Sequence, residues 1–252
     1  MGLLDGKVAI ITGSGQGIGR GIAIAFAKEG ASIVIVEVNA ERGADAAKEL
    51  QALGARALVV DCDVRVQDQV NRAVAATVKE FGTVDILVNN VQMRRYALLE
   101  DVKEEYMMET LQSGPIASLF FMQACLPHFK EKQAGKVINV GSGAALTGLE
   151  GWGAYSIAKN AILCLTRVAA REWGQYGINV NSFCPFALTP SAIEGLKEKP
   201  EFYKKTLEGT PLRRIGDPEK DVGRAVVFLA SSASDYVTGQ CLPVDGGHDM
   251  VQ

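Results

Sequence analysis

Val8-Ala9-Ile10-Ile11-Thr12 runs directly into Gly13-Ser14-Gly15-Gln16-Gly17-Ile18-Gly19, and then into Arg20-Gly21-Ile22-Ala23-Ile24-Ala25-Phe26. The first run is short, continuous and rich in β-branched residues, as suits a strand covered on both faces. After Gly17 the apolar residues return at helical spacing. Between the two, glycines let the backbone turn tightly and approach a pyrophosphate, which the N-terminus of the next helix attracts. The spacing is T-G-x-x-x-G-I-G and not G-x-G-x-x-G, because the sixth residue from Gly13 is Ile18 and from Gly15 is Arg20. Alone, such a loop could be only a tight turn. Set after a strand and before a helix, it points to a dinucleotide, with Gly13, Gly15, Gln16, Gly17, Ile18 and Gly19 as the residues that hold it.

The same alternation continues outward. Short apolar runs at 32–37, 57–61, 86–89, 137–140, 178–183 and 240–244 are separated by segments of helical period at 19–29, 40–53, 67–81, 116–131, 154–174 and 218–231. That rhythm implies right-handed βαβ crossovers and an α/β, doubly wound, Rossmann-type fold, with seven parallel strands and helices on both faces. No repeat, low-complexity stretch or Pro/Gly-rich linker divides the 252 residues, so a single domain over 1–252 is expected.

Apolar content of 48% is ample for a core, and 22% charged residues is ordinary for a globular chain. A net charge of −3 with no basic run argues against a nucleic-acid or membrane-surface role. The first residues lack a signal-peptide layout, and no apolar run approaches the roughly 18 residues that span a bilayer, so a cytoplasmic location is expected. Cys62, Cys125, Cys164, Cys184 and Cys241 are odd in number and widely spaced, and read as buried thiols in a reducing compartment. His128 and His248 have no ligand spacing around them, so no metal is expected and histidine chemistry has little material.

Acid–base chemistry has a better candidate. Tyr155 and Lys159 stand four apart in a helical segment, just over one turn, and therefore share a face. A free phenol titrates near ~10, and a neighbouring ammonium favours the phenolate. Ser142 follows the run 137–140, so its hydroxyl belongs at a strand's carboxyl end, where open parallel sheets bind ligands. Glu37 ends the second strand run. A carboxylate there accepts both adenosine ribose hydroxyls and repels a 2′-phosphate, while Gln16 and Val38 offer no cation, so NAD is the expected cofactor.

Assembled, these residues make the chain resemble the short-chain dehydrogenase/reductase family, of the small single-domain kind. The resemblance spans about Lys7 to Gly247. It rests on the T-G-x-x-x-G-I-G loop, Asp63-Val64, Asn89-Asn90, Ser142, Tyr155-x-x-x-Lys159 and Val244-Asp245-Gly246-Gly247. It implies that Asp63 contacts the adenine amino group, that Val64 and Asn90 line the adenosine side, and that Pro185 lies beside the nicotinamide. It further implies Tyr155 as acid/base, Lys159 on the nicotinamide ribose, Ser142 on the reacting oxygen, and a homotetramer or homodimer built partly on the Tyr155 helix. Enoyl reduction is disfavoured, because that branch of the family spaces its Tyr and Lys differently.

Three positions depart from the family pattern. N-N-A-G is Asn89-Asn90-Val91-Gln92 here, the family's catalytic Asn aligns with Gly114, and Pro-Gly after the sixth strand is Pro185-Phe186. Intact Ser142, Tyr155 and Lys159 favour a reshaped enzyme that interconverts a secondary alcohol and a ketone. An NAD-binding sensor without turnover is the alternative. A lid is expected at about 186–214, where Leu188, Ile193, Leu196, Phe202 and Tyr203 suggest a substrate with an apolar or cyclic body. Arg94 and Arg95 could clamp a substrate carboxylate with Gln92 as a neutral donor and Phe186 nearby, or could pair with Glu100, Asp101 or Glu104 at the surface.

Overall fold

The computed structural model describes residues 2–198 and 200–250. Seven strands, all parallel, form one sheet: β1 (Val8–Thr12), β2 (Ser32–Glu37), β3 (Ala57–Asp61), β4 (Ile86–Asn89), β5 (Gly135–Val140), β6 (Ile178–Pro185) and β7 (Cys241–Val244), in the order β3-β2-β1-β4-β5-β6-β7. The order reverses between β1 and β4, and a crevice opens beyond the carboxyl ends of those two strands.

Alternation along the inner strands explains why their runs are continuously apolar. Ile11, Ile33, Ile35 and Val88 point into one core layer, and Ile10, Val34, Val36 and Leu87 into the other. Helices α1 (Gly17–Lys28), α2 (Ala40–Ala52) and, late in the chain, α10 (Arg224–Ala230) cover the first layer. Helices α3 (Gln67–Phe81), α5 (Ala117–Lys132) and α7 (Gly153–Trp173) cover the second. A buried polar chain ties α7 to the sheet: Asn89 donates to Asn139 (2.8 Å), and Asn139 donates to Thr166 on α7 (3.0 Å).

Several elements go beyond the periodicity reading. Helix α4 (Glu104–Leu111) precedes a π-helical turn, Gln112–Ile116, and only then does α5 begin. Pro115 has no N–H for the carbonyl one turn back, and the wider turn is how the helix continues past it. Segment 218–231 is likewise a π-helical turn, Pro218–Gly223, followed by α10. Short helix α6 (Ala144–Thr147) follows Ser142. The lid segment holds two helices, α8 (Pro190–Glu198) and α9 (Pro200–Gly209). Each opens on its proline, a first-turn position where the missing N–H costs nothing. The side chains of Leu196 and Phe202 lie outside the described residues.

The cysteines divide differently from the expectation. Cys62, Cys125 and Cys184 are buried, but Cys164 is exposed because α7 turns one stripe away from the sheet, and Cys241 is partly exposed on β7, the edge strand. Ile157 and Val168 lie on that outward stripe too, each nearly half exposed.

Candidate active site

A cavity of about 780 Å³ runs over the carboxyl ends of the strands. It extends from Gly13, Glu37 and Asp63 at one end to Ser142, Tyr155 and Lys159 at the other. At the first end Gly13 and Gly17 have positive φ (64° and 58°), conformations that glycine adopts without strain. Gly13, Gln16, Gly17 and Ile18 face the cavity, as do Val64, Asn90 and Pro185. Gly15 and Gly19 do not line it; they let the loop close on its own support. A Cβ at Gly15 would lie 2.6 Å from Glu37 Oε2, and one at Gly19 would lie 2.4 Å from the Gly13 carbonyl oxygen.

Thr12 Oγ1 accepts from the backbone N–H groups of Asn90 (2.8 Å) and Val91 (3.2 Å), and Asn90 Nδ2 donates back to the Thr12 carbonyl (2.9 Å). The loop after β1 and the strand end of β4 are thus one braced unit. The buried Glu37 carboxylate accepts from the backbone N–H groups of Gly15 (3.1 Å), Val38 (3.1 Å) and Asn39 (3.2 Å). Arg42, in the first turn of α2, packs its Cβ against the same corner, 2.9 Å from where a Gly15 Cβ would stand. Asp63 is gripped by Arg65 (2.6 Å), whose hydrogen bonds hold its carboxyl below the usual range.

At the other end, β5 delivers Ser142 and the first turns of α7 deliver Tyr155 and Lys159. Ser142 Oγ accepts from Ala144 N–H (3.2 Å). Lys159 is buried, gives one N–H to the Val140 carbonyl (2.6 Å), and holds Nζ 5.6 Å from the Tyr155 ring centre. Burial dominates both ionisations. It pushes the Lys159 ammonium down to about 7, with Arg94 adding in the same direction. It raises the Tyr155 phenol, against which the Ser142 hydrogen bond and the charge of Arg94 pull downward. The phenol therefore stands above its usual range and not below it as the neighbouring Lys159 alone would imply, because desolvation of the phenol outweighs its neighbours.

The two arginines part company. Arg94 lines the cavity and lies over the Trp152 ring, 5.3 Å from its centre. Arg95 instead pairs with Glu109 on α4 (2.9 Å) and covers the Tyr106 ring, so the double clamp does not form. Its partner is none of the three acids nearest in sequence. Gln92 is not a donor to the cavity either, since its Nε2 donates to the carbonyls of Thr110 (2.7 Å) and Met93 (3.0 Å). Phe186 lines the cavity and stacks on His248 (4.4 Å, 12° between planes).

Sequence reading missed Trp152, Leu149, His248 and Asp249, all of which line this end. Trp152 meets both Tyr96 and Tyr155 edge-on, each with ring centres 5.9 Å apart. Its place three residues before Tyr155 was the available signal. Gly151, at φ 75°, is where a Cβ would fall 2.1 Å from the Tyr96 ring. The lid contributes Thr189, Pro190 and Ala192.

A family model described as Enoyl-(Acyl carrier protein) reductase matches residues 13–249. The chain is 43% identical to a 12alpha-hydroxysteroid dehydrogenase from a Clostridium species, covering 98% of each chain. It is 36% identical to the 2-dehydro-3-deoxy-D-gluconate 5-dehydrogenase of Escherichia coli, covering 97% of this chain and 96% of that one. The chain belongs to the short-chain dehydrogenase/reductase family. Among solved structures of this family, a 7 alpha-hydroxysteroid dehydrogenase complexed with NADH and 7-oxo glycochenodeoxycholic acid superposes with a TM-score of 0.93. That pair is 33% identical, with coverage of 99% of this chain and 97% of the other. As a short-chain dehydrogenase/reductase the protein is an oxidoreductase that interconverts alcohol and ketone groups of small molecules with a nicotinamide cofactor. The glycine-lined cradle and the buried carboxylate at the end of β2 fit such a dinucleotide. No described helix is long and apolar enough to cross a membrane.

Proposed function

We propose that the protein is an NAD-dependent dehydrogenase of a secondary alcohol on a cyclic, largely apolar acid, with a hydroxysteroid acid the leading case. One observation carries the reading. The Ser142–Tyr155–Lys159 group shares a single cavity with the Glu37 cradle at one side and with Trp152 and Arg94 at its rim. The nicotinamide, when bound, supplies the hydride acceptor or donor and, when oxidised, a positive charge that favours phenolate over phenol. Tyr155 takes the hydroxyl proton in oxidation and returns it in reduction. Lys159 stabilises the phenolate by charge, and the Ser142 hydroxyl donates to the reacting oxygen. Trp152, Leu149, Phe186 and the lid's Pro190 and Ala192 receive the ring body, and Arg94 receives the carboxylate.

Glu37 supports NAD over NADP, since its carboxylate stands where a 2′-phosphate would need a cation. Outward-facing Ile157 and Val168 on α7 support pairing of that helix with a second copy, in a dimer or tetramer. The test is NADH absorbance or fluorescence across hydroxysteroid acids, their esters and simple cyclic alcohols, with NAD and with NADP. Turnover of the acids with NAD is expected. Binding of NADH with no turnover of any alcohol or ketone would overturn the enzyme reading in favour of a sensor.

A further inference from the structure

Asp245 and Asp249, four residues apart in the segment after β7, use their carboxylates in opposite ways. Asp245 is buried and accepts from two backbone N–H groups, of Gly247 (2.9 Å) and Asp249 (2.9 Å), which closes the segment on itself. His248 fixes it from the other side: its ring stacks on Phe186, and its Nδ1 lies 3.1 Å from Thr210 Oγ1, just past the end of α9. With its neighbours held, Asp249 is delivered to the cavity wall. A Cβ at Gly143 would fall on Asp249 Oδ2, so the carboxylate lies against the bare Cα of the residue next to Ser142. Among the described residues nothing donates a hydrogen bond to either of its oxygens. Partial burial raises its carboxyl above the usual range; His248 pulls the other way, and Asp245 adds to the rise.

A carboxylate only accepts. A ring body entering the cavity strips solvent from Asp249 and gives it nothing back in apolar carbon, which is costly for a charged group. A substrate avoids that loss only by bringing a donor to the same point. The donors of a cyclic hydroxy acid are its hydroxyls, and the reacting one is already engaged by Ser142 and Tyr155. The donor that meets Asp249 is therefore a second hydroxyl. The same negative charge repels the acid end of the substrate, which leaves Arg94 as the place for it.

We propose that Asp249 is a specificity-determining residue: it accepts a hydrogen bond from a second hydroxyl on the ring body of the substrate, on the Ser142 side of the cavity. Resting on the cyclic hydroxy-acid reading, this narrows the substrate class to ring acids with two hydroxyls, one oxidised at Tyr155 and one held by Asp249. Glycine at 143 is part of the device, because a β-carbon there takes the place of the carboxylate.

The test is steady-state kinetics with NAD, for the parent and for Asp249→Ala, on matched steroid acids that share the oxidised hydroxyl and differ in a second one. The parent is expected to favour one dihydroxy isomer over its monohydroxy counterpart by about 10- to 100-fold in kcat/KM, the usual worth of a hydrogen bond to a charged group. The preference should reside in KM and vanish in Asp249→Ala, with NADH affinity by fluorescence titration close to the parent's. No preference in the parent, or the same preference in Asp249→Ala, overturns the inference. An equal loss on both acids, or a loss of NADH affinity, overturns it too and makes Asp249 a support of the cofactor or the fold. Asp249→Asn keeps an acceptor oxygen, and partial retention of the preference there supports a direct hydrogen bond even where the alanine variant does not fold. If the parent oxidises neither acid, the underlying reading fails and this falls with it; if it oxidises both alike, only the role of Asp249 fails.

Discussion

Gly15 and Glu37, 22 residues apart, are joined by a hydrogen bond of 3.1 Å from the glycine amide to the carboxylate, on the side where a Cβ would come within 2.6 Å of the same oxygen. The loop after β1 and the end of β2 therefore hold each other in place. The acid is positioned before any cofactor arrives. Glu37→Ala is expected to weaken NAD and to shift the NADP/NAD ratio of kcat/KM by about 10- to 100-fold toward NADP, since the repelling carboxylate is gone. Steady-state kinetics with both cofactors measures it, and a parent enzyme that already prefers NADP would overturn this reading of Glu37.

Tyr155→Phe is expected to retain NADH binding, measured by fluorescence titration, while kcat falls by about 10²–10⁴-fold, the usual worth of a positioned acid/base. Turnover close to the parent value would remove Tyr155 from the chemistry.

Burial lowers the Lys159 ammonium from 10.5 to about 7, so this side chain opposes folding while it is charged. The cost is fully present below pH 7, where folded and unfolded states are both protonated. It is relieved between about 7 and 10.5, where only the unfolded chain keeps its proton and stability rises with pH. Lys159→Met should accordingly be inactive yet more stable by about 1–3 kcal/mol near pH 6. Thermal melts from pH 6 to pH 9 should show that gain shrinking. A gain that grows with pH would mean the ammonium is not the source.

Arg94→Ala is expected to raise KM for a hydroxy acid by about tenfold and to leave its methyl ester nearly unaffected. Arg95→Ala should spare both, since its side chain is spent on Glu109 and Tyr106. Equal use of acid and ester by the parent enzyme would remove the anion role from Arg94.

Which parts of this molecule were legible follows from what each residue's surroundings depend on. The inner strands were readable because burial on both faces demands uninterrupted Val and Ile, and β1, β2 and β4 fall on the runs that show it, whereas β3 lies at the sheet edge and is only partly buried. Tyr155 and Lys159 were readable because helical spacing alone puts them on one face. Arg95 was not, because its partner sits on α4, whose sequence EEYMMETL carries too weak an apolar stripe to announce a helix. The lid helices hid behind prolines that read as breaks and serve as first turns. Gln92 was misassigned for a similar reason. Its direction depends on the glycine at 114, a pairing across 22 positions that no local pattern encodes.

The chain has two tryptophans, and they report on different places. Trp173 is packed in the core at the end of α7, whereas Trp152 stands in the cavity wall between Tyr96 and Tyr155, under Arg94. The protein thus has an optical gauge built into its own pocket. With Trp173→Phe, the remaining indole emission comes from the pocket wall alone, and its overlap with reduced-nicotinamide absorption lets quenching and energy transfer follow ligand arrival in real time without any added dye.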